Sequence, residues 1–434
     1  MTILSDLPIE IMRFILEIAI DPGRLTYSRL KTDDDPLSKY REHQALIREL
    51  GSVCHCWRSI CLEFLFEHVW IAPPLLPNTL AFRQIFDMST PCGHSRKPPG
   101  WWTQQLYLDG CFLEPPERKA LADHFQINNP FPNVKHLFIF DYGSKEDEEN
   151  ARVILGVYAK HLASLMLKGP VHTLRNMISC APGGLFQLQE LALDFAWVIR
   201  ESFPRQDTRD PLVLPNVHSL HLHNLTKDEC LALLDWSFPS LRTLAIYRTI
   251  FPPDAFARFM HLHGSMLISL SIPYDYIQPS THRDLFEACR VLERLEVLDG
   301  TWADDWNLEP PSITYFPIME EHGLREWIFK PFWVDSEFFD TKFKDFTADP
   351  KLFPSLQKIR LSSPGMEKLF SISSETVQGL RDWSRALKVK GVSLVDDEDG
   401  ISIFPSTICV GRGSDQCSSS LFPIILYSLR RATP

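Results

Sequence analysis

The sequence predicts an α/β (α+β) solenoid, in which a small N-terminal helical unit precedes an irregular array of repeats that share one face of parallel strands. Two observations predict this fold class. One apolar pattern recurs nine times, and the first positions of successive copies are 24 to 32 residues apart. The first 71 residues instead have apolar residues at helical spacing.

Each copy of the pattern has an apolar residue, two others, an apolar residue, one other and a further apolar residue. The alternation at its end sends two apolar side chains inward and one residue outward, as a half-buried strand requires. The intervening residues return the chain on the outer side, and no single repeat closes a core without its neighbours. The copies begin at Val134, Leu162, Leu188, Val217, Leu241, Leu267, Leu292, Leu324 and Leu356, with a degenerate copy at 105–108 and a last strand at 392–395. The amphipathic stretches between copies include residues 227–236, 254–263, 283–290 and 336–346.

The first 71 residues are predicted to form three helices and a short strand. The first helix holds Pro8 in its first turn, has a broad apolar stripe and ends at Asp21-Pro22-Gly23. A second helical stretch starts near Ser38, and Gly51 divides it into two helices. Residues 66–71 are typical of a short strand.

Two motifs in this region resemble the F-box. They are Leu7-Pro8-x-Glu10-Ile11 followed by Ile15-Leu16, and Val53-Cys54-x-x-Trp57-Arg58. The resemblance covers about residues 4–62, and an insert at 21–40 makes the box longer than usual. It implies a three-helix unit that binds the adaptor subunit of an SCF-type ubiquitin ligase and, through the adaptor, a cullin. The positions that match the adaptor-binding residues are Leu7, Pro8, Ile11, Ile15, Val53, Cys54 and Trp57. The alternative is that these residues only pack a helical cap onto the repeats.

The repeats are similar to leucine-rich repeats, although no Asn recurs after the third apolar position. The run Leu65-Phe66-Glu67-His68-Val69-Trp70 also looks like the segment that commonly follows an F-box in fungal proteins. The whole chain therefore resembles fungal F-box proteins that carry C-terminal leucine-rich repeats. The expected domains are an F-box-like helical domain at 1–71, a leucine-rich-repeat-like domain at 72–395, and an acidic turn with a C-terminal tail at 396–434.

The composition and the missing motifs disfavour some classes of binding partner and functional site for this protein. A net charge of −11 disfavours binding to nucleic acid, whose phosphates carry the same sign. The chain has neither an apolar run long enough for a membrane span nor a basic N-terminal signal, so we expect a protein of the cytoplasm, the nucleus or both. The ten cysteines include no CxxC pair, and no motif for catalysis is present, so we expect no catalytic residue, metal or cofactor.

The residues that the strands send outward are the candidates for binding a target protein. Those we single out are His221, His223, Tyr247, Lys330, Lys358 and Arg360. The three cationic residues make the C-terminal part of this face basic, so a partner with acidic or phosphorylated residues could bind there. The alternative is a solvated charged face. His221, His223 and Asp194 could offer ligands to a metal, although solvent-facing polar residues explain them equally well.

The resemblance to F-box proteins with leucine-rich repeats implies a substrate-recognition subunit of an SCF-type ubiquitin ligase. Such a protein has no catalytic residues and acts by proximity, because it raises the effective concentration of a target lysine near a ubiquitin-charged enzyme. The first alternative is a non-degradative scaffold that binds partners through its repeats. The second is an enzyme whose site follows no recognised motif.

Overall fold

The computed structural model describes twelve segments of the 434-residue protein and four further residues. The segments are 7–20, 36–71, 97–109, 115–140, 145–168, 185–194, 212–249, 251–273, 282–298, 324–330, 355–361 and 384–395, and the further residues are Arg175, Ile178, Tyr276 and Asp382. The expected acidic turn and tail at 396–434 and the expected helix at 336–346 lie outside the described residues.

The helices fall into an N-terminal group of three and a set that alternates with strands. They are α1 (Ile9–Ile20), α2 (Pro36–Gly51), α3 (His55–Leu65), α4 (Pro115–Asn128), α5 (Lys145–Tyr158), α6 (Lys227–Leu233), α7 (Pro253–His263) and α8 (His282–Ala288). Short 3-10 helices span Pro99–Trp101 and Gly264–Met266. The predicted division at Gly51 is confirmed, because α2 ends there.

The strands form one large parallel sheet and one short pair. They are β1 (His68–Ile71), β2 (Gln105–Asp109), β3 (His136–Phe140), β4 (Ser164–Lys168), β5 (Glu190–Asp194), β6 (Leu212–Val213), β7 (Ser219–His223), β8 (Trp236–Ser237), β9 (Thr243–Tyr247), β10 (Ser269–Pro273), β11 (Arg294–Leu298), β12 (Glu326–Lys330), β13 (Lys358–Leu361) and β14 (Ser393–Val395). Within the described residues, β6 pairs with β8, and the other twelve strands lie side by side in chain order. The first and last strands of this sheet are not paired with each other, so the described part of the chain forms no closed barrel.

The predicted mixed α/β class and parallel strand order are confirmed. Each of the nine apolar patterns contains a strand that begins two residues after its first apolar position, as β7 begins at Ser219 after Val217. The degenerate copy forms β2, and the predicted terminal strands form β1 and β14.

The main core lies on one face of the large sheet, which we call the core face. Inward residues of the strands, such as Leu220 and Leu222 of β7, belong to one continuous apolar cluster. The helices α4 to α8 each add a buried side chain to it: Phe125, Tyr158, Cys230, Phe259 and Phe286. Because these helices pack on the core face, the opposite face, called here the second face, is left to other contacts.

The second face differs from our expectation at its N-terminal end. The sequence places Phe138 and Met166 outward as surface residues, but both are buried, together with Trp70, Tyr107 and Ala192. The rings of Trp70 and Tyr107 stack with centroids 5.0 Å apart, and those of Tyr107 and Phe138 with centroids 4.3 Å apart. The direction of these side chains was predicted correctly, whereas their exposure was not, because aromatic rings on adjacent strands cover one another.

The N-terminal helices contact this end of the sheet. The Tyr40 hydroxyl of α2 donates a hydrogen bond to the carbonyl of His68 at 3.4 Å, and the Tyr40 and Trp70 rings lie 5.7 Å apart. Gln44 Nε2 donates to the carbonyl of Leu65 at 3.1 Å. The Tyr40 contacts hold α2 against β1, and the Gln44 hydrogen bond joins α2 to the end of α3.

Candidate docking surfaces

The first helix has apolar side chains on two opposite faces. Met12, Leu16 and Ile20 are spaced by four residues and are buried in a small core with side chains of α2 and α3. The other side holds four large apolar side chains, which are 37–59% exposed. We call this surface the α1 face; it consists of Ile11, Phe14, Ile15 and Ile18. Contiguous exposed apolar side chains of this kind make the α1 face a candidate docking surface.

The seven predicted adaptor-binding residues divide into two groups in the structure. Five are exposed: Pro8, Ile11, Ile15, Val53 and Cys54. The other two, Leu7 and Trp57, pack against the three-helix core and are only partly buried. The structure thus brings the first group to the surface and uses the second group to hold the helices together.

Two residues of the α1 face were not among the predicted adaptor-binding residues. Phe14 and Ile18 are exposed beside Ile11 and Ile15 on successive turns of α1. The signal that could have found them was the width of the apolar stripe, which is too broad for one buried face. Without knowing where α2 and α3 pack, the sequence does not show which half of that stripe is buried.

An ion pair fixes the orientation of α1 on α3. Arg13 Nη1 lies 2.6 Å from Glu63 Oε2, and the Glu63 side chain is only 3% exposed. The Arg13 guanidinium also lies over the Phe64 ring, 5.3 Å from its centroid. Burial alone lowers the pKa of Arg13, but the hydrogen bond and charge of Glu63 outweigh it, so that the pKa is raised.

Cys54 has a structural role at the start of α3. Its Sγ accepts a hydrogen bond from the Trp57 backbone N–H at 3.5 Å, in the manner of a helix cap. The backbone of Cys54 is extended as the chain enters the helix.

On the second face, His221 belongs to a polar group in the middle of the sheet. Its Nε2 lies 3.4 Å from Glu190 Oε1 and 2.8 Å from Ser219 Oγ. Burial raises the pKa of Glu190, but hydrogen bonds from His221 and Ser164 and the nearby His136 outweigh it, so that the pKa lies below its usual value. Burial lowers the pKa of His136.

His223 and Tyr247 form an aromatic pair beside this group. Their rings are stacked with centroids 4.6 Å apart. Asp194, which is paired with His223 in the strand register, accepts a hydrogen bond from Asn224 Nδ2 at 2.7 Å, and burial raises the pKa of Asp194. In the described part of the chain, no group of three or more His, Cys, Asp or Glu side chains is arranged to hold a metal ion.

The expected basic patch contains its own counter-ion. Arg294, Lys358 and Arg360 all lie within 4.0 Å of the carboxylate of Glu326. These four residues are called here the Glu326 cluster. Lys330 lies in β12, but its side chain is outside the described residues. The patch is therefore an ion-pair cluster rather than a simple row of cations.

A comparison with models of protein families gives no match to this chain, and a comparison with curated proteins gives none either. Among the helices that the structure describes, none combines the length and the apolar character that crossing a lipid bilayer requires.

Proposed function

We propose that the protein is a substrate-recognition subunit of an SCF-type ubiquitin ligase. In this proposal α1 to α3 form an F-box that binds the adaptor subunit, and the parallel sheet belongs to a leucine-rich-repeat solenoid that binds a target protein. The observation that carries the proposal is the exposed α1 face on a packed three-helix unit.

The α1 face has the properties of an interface that lacks its partner. Four large apolar side chains lie together on three turns of one helix, and contiguous apolar surface of this kind marks protein-binding sites. Val53 and Cys54 add exposed side chains at the start of α3. The motif pair that resembles the F-box includes residues of both elements, so the resemblance and the exposure support the same surface.

The second face supports the other half of the proposal. From β7 to β13 it carries polar and charged side chains in adjacent strands, including His221, Tyr247 and Arg360. Parallel strands place such residues about 4.8 Å apart from strand to strand, so they form one surface. A receptor of this type supplies binding and proximity, and it needs no catalytic group of its own.

The test is co-purification with the SCF adaptor and cullin from cells. The variant Phe14→Lys/Ile18→Lys changes two exposed positions without disturbing the helix. The first substitution puts a cation four residues after Glu10, and the second puts one in the last turn, where a positive charge is favourable. We expect this variant to lose both adaptor and cullin, because truncated or charged anchors cost about 2 kcal/mol or more each.

The control is Ile127→Lys, which replaces an exposed apolar residue by one lysine in the last turn of α4, at a position that is 79% exposed. It should retain adaptor and cullin. Unchanged co-purification by the Phe14→Lys/Ile18→Lys variant would refute the proposal. Adaptor binding without cullin would instead support the non-degradative scaffold.

A further inference from the structure

The Glu326 cluster brings three cations around one carboxylate on adjacent strands. The strand register pairs Arg294 with Glu326 and Glu326 with Lys358, so these three residues form a row across β11, β12 and β13. Arg360 lies two residues further along β13 and contacts the same carboxylate. Among the described side chains, the cluster combines three positive groups with one negative group, in a protein whose net charge is −11.

The three cations do not hold Glu326 in the same way. Arg360 donates to Glu326 Oε1 from Nε at 3.3 Å and from Nη2 at 3.1 Å, and its side chain is only 12% exposed. Arg294 Nε lies 3.7 Å from Oε2, and Lys358 Nζ lies 4.0 Å from Oε1, which is beyond hydrogen-bond distance. Arg294 is half exposed and Lys358 about one-third exposed. Arg360 is thus the inner partner of Glu326, and the other two are outer cations that solvent or a ligand can reach.

Among the described side chains, Glu326 is the carboxylate that lies within 4.0 Å of all three cations, and an incoming carboxylate would compete with it. Glu296, two residues beyond Arg294 on β11, is buried and accepts a hydrogen bond from Ser271. An incoming carboxylate is attracted by the outer cations and repelled by Glu326, because unlike charges attract and like charges repel at these distances. One carboxylate gains little, since Glu326 already makes the same interactions. Several carboxylates in succession gain from both outer cations.

We propose that the Glu326 cluster binds an acidic segment of a target protein, and that Glu326 sets the negative charge which that segment must carry. This inference rests on the proposed function, in which the second face binds a target. A short acidic protein segment fits better than nucleic acid, because its carboxylates can be confined to the cluster, whereas an extended phosphate backbone would continue past the cluster along a protein whose net charge is −11. Glu326 is then a specificity-determining residue: it lowers the positive potential of the cluster, so a segment must carry more carboxylates to bind with a given affinity.

The test measures binding of a fluorescein-labelled oligoglutamate peptide to the purified full chain at low salt, without the adaptor. Fluorescence anisotropy gives the affinity, and an oligoglutamine peptide serves as the uncharged probe. Glu326→Gln should raise the affinity for oligoglutamate about tenfold, because the competing carboxylate is removed. Arg294→Gln/Lys358→Gln should lower it about tenfold, because both outer cations are lost.

Arg325→Gln is the matched control, because Arg325 directly precedes β12, is exposed and pairs with Glu293 instead, at 3.9 Å. It should change the affinity less than about twofold. If Glu326→Gln does not fold, the Arg294→Gln/Lys358→Gln variant still tests the proposal. Both of its substituted side chains are partly exposed, so we expect it to fold.

Three results would overturn the inference: an unchanged affinity in Glu326→Gln, an unchanged affinity in Arg294→Gln/Lys358→Gln, or equally tight binding of single-stranded DNA. If the wild type binds the adaptor but not the oligoglutamate peptide, this inference alone is overturned. If the wild type binds the peptide but not the adaptor, only the proposed function is overturned.

Discussion

Leu16→Ala and Phe14→Ala should have very different effects on stability, although the two residues lie only two positions apart on α1. Leu16 is fully buried among side chains of all three N-terminal helices, whereas Phe14 is mostly exposed. Leu16→Ala removes three carbon groups, each worth about 0.8 kcal/mol of transfer free energy. A residual cavity adds to this, so we expect a loss of about 3 kcal/mol for the three-helix unit. Phe14→Ala should cost less than about 0.5 kcal/mol beyond helix propensity.

Hydrogen–deuterium exchange of the full chain measures this difference locally. A loss of about 3 kcal/mol corresponds to an increase of about 100-fold in exchange within α1 to α3, while the sheet strands β7 to β11 keep their protection. Phe14→Ala should exchange as the wild type does. Equal acceleration in both variants, or none in Leu16→Ala, would show that the two faces of α1 have been assigned wrongly.

Three further predictions concern other contacts. Arg13→Met should destabilise the packing of α1 on α3 by about 2 kcal/mol, because Glu63 would stay buried without this partner. In the same exchange assay, the double variant Arg13→Met/Glu63→Met should recover most of that loss. Folding lowers the pKa values of His136 and Glu190, so each group contributes stability above its unfolded pKa and loses that contribution as the pH falls through its folded pKa. The free energy of unfolding, measured with a chemical denaturant, should therefore fall below about pH 6.5 and again below about pH 4.5. His136→Gln should remove part of the decrease below pH 6.5. Gly100→Ala should lower the melting temperature, since a Cβ there would lie 2.0 Å from a backbone carbonyl oxygen, and a Ser at that position should do no better.

The strands could be predicted because their pattern is local and repeated. The alternation of apolar and polar residues within each repeat specifies both the strand and its inward face. The strand β7 can therefore be predicted from the pattern that begins at Val217. Nine copies in similar register also indicate that the strands are parallel and adjacent in chain order. The break at Gly51 follows from local propensity in the same way.

The surfaces were harder to predict, because exposure depends on contacts between distant parts of the chain. Phe138 points outward as expected but is buried beneath its neighbours on the second face. Phe14 belongs to an apolar stripe whose exposed half is decided by where α2 and α3 pack. The sequence pattern does not predict a counter-ion for Lys358 and Arg360, whereas in the structure both lie near the carboxylate of Glu326 on the neighbouring strand.

The central claim, that the α1 face binds an SCF adaptor, is tested most directly by titrating purified adaptor subunit into the full chain and measuring the heat of binding. The account predicts a saturable isotherm for the wild type and for Ile127→Lys. It also predicts an affinity at least about 100-fold weaker for Phe14→Lys/Ile18→Lys, whose fold should be unchanged by circular dichroism. Equal affinity of that variant and the wild type, or no binding by the wild type, would contradict the claim.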